Sequence, residues 1–124
     1  MNLDDWIRKL RLEQPLIVVE GVKDKRALVA LGFKKIILLQ GRPLFTIVEE
    51  VADLTNSCLI LTDLDAEGKK LYAALKKGLQ RHKVKVDDRF RHFLFKETTL
   101  RHVEGLAKYA EVRGTTLHSL EFVD

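Results

Sequence analysis

Cysteine, proline and tryptophan are scarce in this sequence. Its 124 residues contain one cysteine, two prolines and one tryptophan. A lone Cys58 cannot close an internal disulfide, and it sits inside an apolar run. This excludes a disulfide-stapled scaffold and makes a reducing cytoplasm the expected setting. Histidines are few as well. His82, His92, His102 and His118 follow no zinc-ligand spacing, and one thiol completes no thiolate site. They read as surface or hydrogen-bonded polar residues. Linkers rich in proline, glycine or serine are missing, as are repeats, so a single domain is expected. No apolar run approaches the roughly 20 residues of a membrane helix, and no membrane partner is expected. The opening segment, MNLDDWIRKLRLEQP, is interrupted by acids and bases, unlike a signal peptide. Aromatic residues make up 7% of the chain, and they form no series that would stack successive bases of a single strand. Trp6 is expected to anchor the first helix.

What is present is an ordinary globular mixture, 46% hydrophobic and 32% charged, with a net charge of +4. That charge permits a polyanionic partner without requiring one. Leu3, Trp6, Ile7 and Leu10 share one face of a helix over 3–13, which gives an N-terminal segment 1–14. A main domain over 15–113 and a tail over 114–124 follow. Leu16–Glu20 is a continuous apolar run ending in an acid, as in a strand covered on both sides. Residues 23–31 return to helical spacing and stop at Gly32. Lys34–Gly41 reads as a second strand, and Pro43 opens a helix to about Leu54. Cys58–Thr62 is a third strand and 66–82 a long helix. Arg91–Phe95 is taken as the fourth strand and 99–111 as the last helix. Strands alternating with helices predict an α/β fold: a mostly parallel four-stranded sheet with helices on both faces, Rossmann-like in kind.

Ligands of an open parallel sheet bind beyond the carboxyl ends of its strands. The acids of this chain fall there. Glu20-Gly21 closes the first strand, and Asp63-Leu64-Asp65-Ala66-Glu67-Gly68 follows the third. Along extended chain, side chains repeat every two residues. Asp63 and Asp65 therefore point the same way, with Leu64 turned back. Glu20 joins them if the first and third strands are neighbours. Clustered carboxylates raise one another's pKa, and a divalent cation removes the conflict. Mg²⁺ takes one or two carboxylates, keeps waters and binds phosphate oxygens, so the pattern points to Mg²⁺, or Mn²⁺, and a phosphate-bearing partner together. Gly21 and Gly68 lie at strand-to-helix turns, where a missing side chain admits another backbone or a phosphate. Lys69 follows at a helix start that favours anions. Helix capping is the competing explanation: Asp65 and Asp24 both occupy positions that a helix N-terminus favours.

The strings VVEGVKD (Val18–Asp24) and LTDLDAEGKKL (Leu61–Leu71) resemble the Toprim domain. That domain is shared by topoisomerases, bacterial-type primases, OLD-family nucleases and recombination-mediator proteins. It carries Glu-Gly after the first strand and Asp-x-Asp-x-x-Gly after the third. The resemblance covers about 15–113. It is most similar to the Toprim half of a bacterial ribosomal-RNA maturase, which has an Asp at the place of Asp24 and a late Val-Glu at that of Val103-Glu104. Small stand-alone archaeal Toprim proteins are similar in length. The resemblance implies that Glu20 is the general acid or base in phosphodiester chemistry. Asp63 and Asp65 hold Mg²⁺, and Asp24 assists a second metal. It implies a nuclease acting on DNA or RNA, with a further protein supplying substrate surface. No separate tyrosine-bearing domain or polymerase body is recognised, and Tyr72 and Tyr109 read as packing residues.

Cations are plentiful. Lys69, Lys70, Lys76, Lys77, Arg81, Lys83 and Lys85 crowd one helix and its exit, and Arg89, Arg91 and Arg101 come later. Such residues track a nucleic-acid backbone or merely solvate a helix face. Arg42, in the QGRP turn after the second strand, is a candidate phosphate contact. Two other readings stand beside the nuclease. One is a non-catalytic module binding nucleic acid or a partner protein. The other is a phosphoacceptor receiver domain, in which Lys96 near the fourth strand mimics an expected partner. Receivers place two adjacent acids after the first strand, whereas glycine follows Glu20 here.

Overall fold

The computed structural model describes residues 1–107. Helix α1 (Leu3–Glu13) precedes strand β1 (Leu16–Val19), helix α2 (Val22–Ala30), strand β2 (Ile36–Leu38) and helix α3 (Leu44–Leu54). Strand β3 (Ser57–Leu61), helix α4 (Ala66–Arg81), strand β4 (Lys85–Val86), helix α5 (Arg89–Glu97) and a 3₁₀ turn (Val103–Gly105) follow. The sheet order is β2-β1-β3-β4 and every pairing is parallel. The chain is therefore an α/β protein with the expected parallel sheet.

Alternation along the strands divides the core in two. Ile17, Val19, Leu59 and Leu61 face a cluster completed by Ile7 and Leu10 of α1, Leu28 of α2 and Phe90 and Leu94 of α5. Leu16, Val18, Cys58 and Ile60 face the opposite cluster, with Ile47 and Val51 of α3 and Leu75 and Leu79 of α4. Continuous apolar runs fit these strands because both faces are covered. At the start of α1, Asn2 accepts from the Asp5 amide at 2.9 Å and Asp5 answers the Asn2 amide at 3.2 Å, a capping box. Trp6 packs against Phe90 and Phe93, with ring centroids 5.7 and 5.8 Å away, so it anchors α1 as expected.

Two expectations fail. Arg91–Phe95 is not a strand; it lies within α5, and the fourth strand is the short Lys85–Val86 pairing with β3. The spacing explains why. Phe90 and Leu94 stand four residues apart, and both are buried on one helical face. Burying each contributes roughly 1.5–3 kcal/mol. That outweighs the helix-propensity penalty of an aromatic residue, at most about 0.7 kcal/mol. The helix expected over 99–111 does not start where drawn, and its residues 108–111 lie outside the described residues. Thr99–His102 are not helical, and helical turns begin only at Val103. Residues 108–124 lie outside the described residues, and with them Tyr109, the end of the expected main domain, and the tail over 114–124 with His118. Among the described residues no helix is long and apolar enough to cross a membrane.

Candidate metal centre

β1 and β3 are neighbours in register, with Val19 opposite Leu61. Their continuations therefore leave the sheet side by side. Glu20 reaches across and accepts the Asp63 amide through Oε2 at 2.8 Å. This bond joins residues 43 apart in sequence, at the end of the β1–β3 pairing.

Asp63 is held from several sides. Its Oδ1 accepts the Val103 amide at 2.7 Å, and its Oδ2 lies 3.2 Å from His102 Nδ1. Next to it, Leu64 donates its amide to the Arg101 carbonyl at 2.9 Å. Leu64 itself turns back to pack against the core, which leaves Asp63 and Asp65 on the other side as the two-residue repeat requires. Arg91 fixes the same corner. Its guanidinium donates to the Thr62 carbonyl at 3.2 Å and the Asp63 carbonyl at 2.9 Å. It also lies over the Tyr72 ring at 4.4 Å and the Phe95 ring at 5.2 Å.

Asp65 is the N-cap of α4 and accepts the Gly68 amide at 2.7 Å. Gly68 is glycine because the chain folds back on itself: a Cβ there would overlap the Asp63 carbonyl oxygen and sit 2.9 Å from the Asp63 nitrogen. Thr62, fully buried, donates from Oγ1 to the Gly68 carbonyl at 2.7 Å and locks the turn. One ligand atom each of Asp63, Asp65 and His102 lie within 4.8 Å of one another. Octahedral ligands at about 2.1 Å stand at most about 4.2 Å apart, so small side-chain adjustments close this set on one ion. Two hard carboxylates and an imidazole suit a divalent cation.

The electrostatics agree with crowded negative charge. Burial pushes the Glu20 carboxyl above its usual pKa, and the charges of Asp63, Asp65 and Asp24 add to it, against the opposing Asp63 amide bond. Asp24 is 6% exposed. Burial raises its pKa too, opposed by the Gly21 amide bond and reinforced by the charges of Asp63 and Glu104. His102 is raised by its hydrogen bond to Asp63 and then by that residue's charge.

The remaining predicted residues fall unevenly. Asp24 faces Gly21, accepting its amide at 3.0 Å, and stands outside the Asp63–Asp65–His102 group. Gly21 is the extended N-cap of α2, and a Cβ there would meet nothing within 4 Å. Lys69 is exposed in the first turn of α4. Arg42 is engaged elsewhere: it pairs with Glu50 and donates to the Leu38 carbonyl at 3.3 Å. Lys96, which the receiver reading needs at a strand end, is exposed on α5.

Two contributors escape sequence reasoning. His102 reads as a surface residue because zinc spacing rules look along the chain, and its partner is 39 residues away. The adjoining Val103-Glu104 was the available signal. Arg91 sorts with backbone-tracking cations, yet it is spent on carbonyls and aromatic faces.

Fold and site together define an α/β protein with a candidate metal centre at the carboxyl edge of a parallel sheet. No family model matches the chain. A UPF0292 protein of Thermococcus sibiricus is 32% identical over 85% of this chain and 82% of its own length. Another from Methanocaldococcus jannaschii is 29% identical, covering 85% of each. The chain belongs to the UPF0292 family. A solved structure of a protein from Aquifex aeolicus is similar at a TM-score of 0.77 and 32% identity, over 84% of this chain and 97% of that one.

Proposed function

We propose that this chain is a Toprim-type nuclease, using Mg²⁺ or Mn²⁺ to cleave DNA or RNA phosphodiesters. One observation carries the reading: Glu20, from β1, bonds to the Asp63 amide while Asp63 and Asp65 present their carboxylates at the same edge. Asp63 and Asp65 would hold the cation, which when bound stabilises negative charge on the phosphate and lowers the pKa of water. Glu20 moves the proton. Burial raises its pKa above the ordinary carboxylate value, which is the direction that favours proton transfer nearer neutral pH. Arg91 keeps the Thr62–Asp63 corner in place. Gly21 leaves open space beside Glu20 for a phosphate, and Lys69 is an exposed cation in the first turn of α4. The formal charge of +4 favours a polyanion, and cleavage by so small a domain fits a partner protein that supplies more substrate surface.

The test is cleavage of single- and double-stranded DNA and RNA with Mg²⁺ or Mn²⁺, comparing wild type with Glu20→Ala and Asp63→Ala. Both substitutions abolish cleavage on this account; activity surviving both removes the site from consideration.

A non-catalytic binding module is supported by a different observation. Asp63 Oδ1 already accepts the Val103 amide, its Oδ2 already meets His102 Nδ1, and Asp65 already caps a helix, so these acids have partners within the fold. Salt-sensitive nucleic-acid binding without product, at any metal concentration, selects that reading.

A further inference from the structure

We infer that His102 is a ligand of the cation, and that this site consequently prefers a transition-metal ion to Mg²⁺. The inference deepens the proposed function and rests on the same site. Its own support is the way His102 is held. The residue before it gives its carbonyl to the Leu64 amide, and the residue after it gives its amide to Asp63 Oδ1. Backbone bonds thus bracket His102 on both sides and tie it to the turn that carries Asp63 and Asp65. The clasp sets the backbone at His102, and the imidazole then meets Asp63. Nδ1 stands 3.2 Å from Asp63 Oδ2, and the side chain is 55% exposed. Apart from its contact with Asp63 the ring is open to solvent, so a cation could reach it.

The chemistry follows from the donor set. Mg²⁺ takes oxygen ligands and holds its waters tightly. Imidazole nitrogen suits the first-row transition metals, while carboxylates accept both kinds of ion. Adding one nitrogen to two carboxylates therefore tilts the site away from Mg²⁺. Mn²⁺ is the least favoured of the divalent transition series, so a preference for it over Mg²⁺ is the stringent form of the test.

The experiment measures Mn²⁺ binding to the full chain without nucleic acid, by electron paramagnetic resonance and by Mg²⁺ competition. Wild type, His102→Ala and Asp63→Asn are compared. Wild type is expected to bind Mn²⁺ more tightly than Mg²⁺ and to show nitrogen hyperfine coupling on the bound ion. His102→Ala is expected to lose that coupling and weaken Mn²⁺ by about 10–100-fold, a range that even residues behind the ligands command, with Mg²⁺ affected much less. Asp63→Asn weakens both ions. An unchanged Mn²⁺ to Mg²⁺ ratio in His102→Ala overturns the inference, as does wild-type Mn²⁺ bound without nitrogen coupling or no bound Mn²⁺ at all. Failure of the nuclease reading looks different: nitrogen-coupled Mn²⁺ is bound and no substrate is cut. Conversely, Mg²⁺-driven cleavage indifferent to His102→Ala, with no Mn²⁺ preference, sinks this inference alone.

Discussion

The turns after β1 and β3 share a formula, an acid followed by glycine at a helix start, but they are built on opposite terms. At the β3 turn, Gly68 is pressed against the Asp63 backbone, and any Cβ would overlap it. Asp65 caps the helix from an exposed position, and Thr62 stitches the turn from below. Glycine there is a requirement of the fold. At the β1 turn, Gly21 has ordinary extended backbone, at φ −147°, and open space where a side chain would go. The acid that accepts the Gly21 amide, Asp24, is buried. The β3 turn is thus a closed unit that presents carboxylates. The β1 turn leaves open space at Gly21, next to Glu20, whose carboxyl is pushed above its usual pKa by burial. The difference separates residues that shape the site from a position that leaves room for something to enter it.

Several experiments sharpen or break this contrast. The largest effect is expected at Glu20, the proposed proton carrier. Glu20→Gln keeps an acceptor for the Asp63 amide but removes the titratable group, so metal-dependent cleavage should fall by about 10²–10⁴-fold with the fold intact by circular dichroism.

Next come the glycines. Gly68→Ala forces the turn apart and should cost on the order of 1–3 kcal/mol in urea unfolding. Gly21→Ala should change stability by about 1 kcal/mol or less, since alanine is only a poorer N-cap, while weakening nucleic-acid binding. Equal destabilisation by the two variants would dissolve the distinction.

A smaller effect concerns pH. Glu20 and Asp24 have folded pKa values above their ordinary 4.5 and 3.8. The folded state therefore holds more protons than the unfolded chain between those values and the raised ones. Stability from these groups is present at lower pH and is lost as pH rises through that window. Asp87 and Asp88, lowered chiefly by hydrogen bonds from Arg89 and Lys76, act in the opposite sense. The clean readout is therefore a difference: the Glu20→Gln/Asp24→Asn double variant should gain on wild type as pH rises from 4 to 7. A constant gap over that range contradicts the assignment.

The smallest effect is kinetic. Cys58 is fully buried in β3 and its thiol is pushed up to about 11 by burial, so alkylation at pH 8 should be slow. It should quicken in Gly68→Ala and not in Gly21→Ala.

Much of this was legible in the sequence. The apolar runs ending at Glu20 and near Thr62 gave two strands covered on both faces, and the Asp63-x-Asp65 repeat placed two carboxylates together with Leu64 reversed. The capping reading of Asp65 holds through one oxygen, and the second oxygen is left for the proposed cation. What was not legible depends on contacts formed only in three dimensions. Arg91–Phe95 passed for a strand because a short apolar run has no period of its own; only α1 and the sheet, packing on Phe90 and Leu94, decide for helix. His102 and Arg91 became part of the site through residues 39 and 28 positions away.

The most direct measurement is a crystal soaked in Mn²⁺ and examined by anomalous scattering. A peak bonded to carboxylate oxygens of Asp63 and Asp65, beside Glu20, is the predicted result. A bound ion elsewhere, or none at this edge at concentrations that support cleavage, contradicts it.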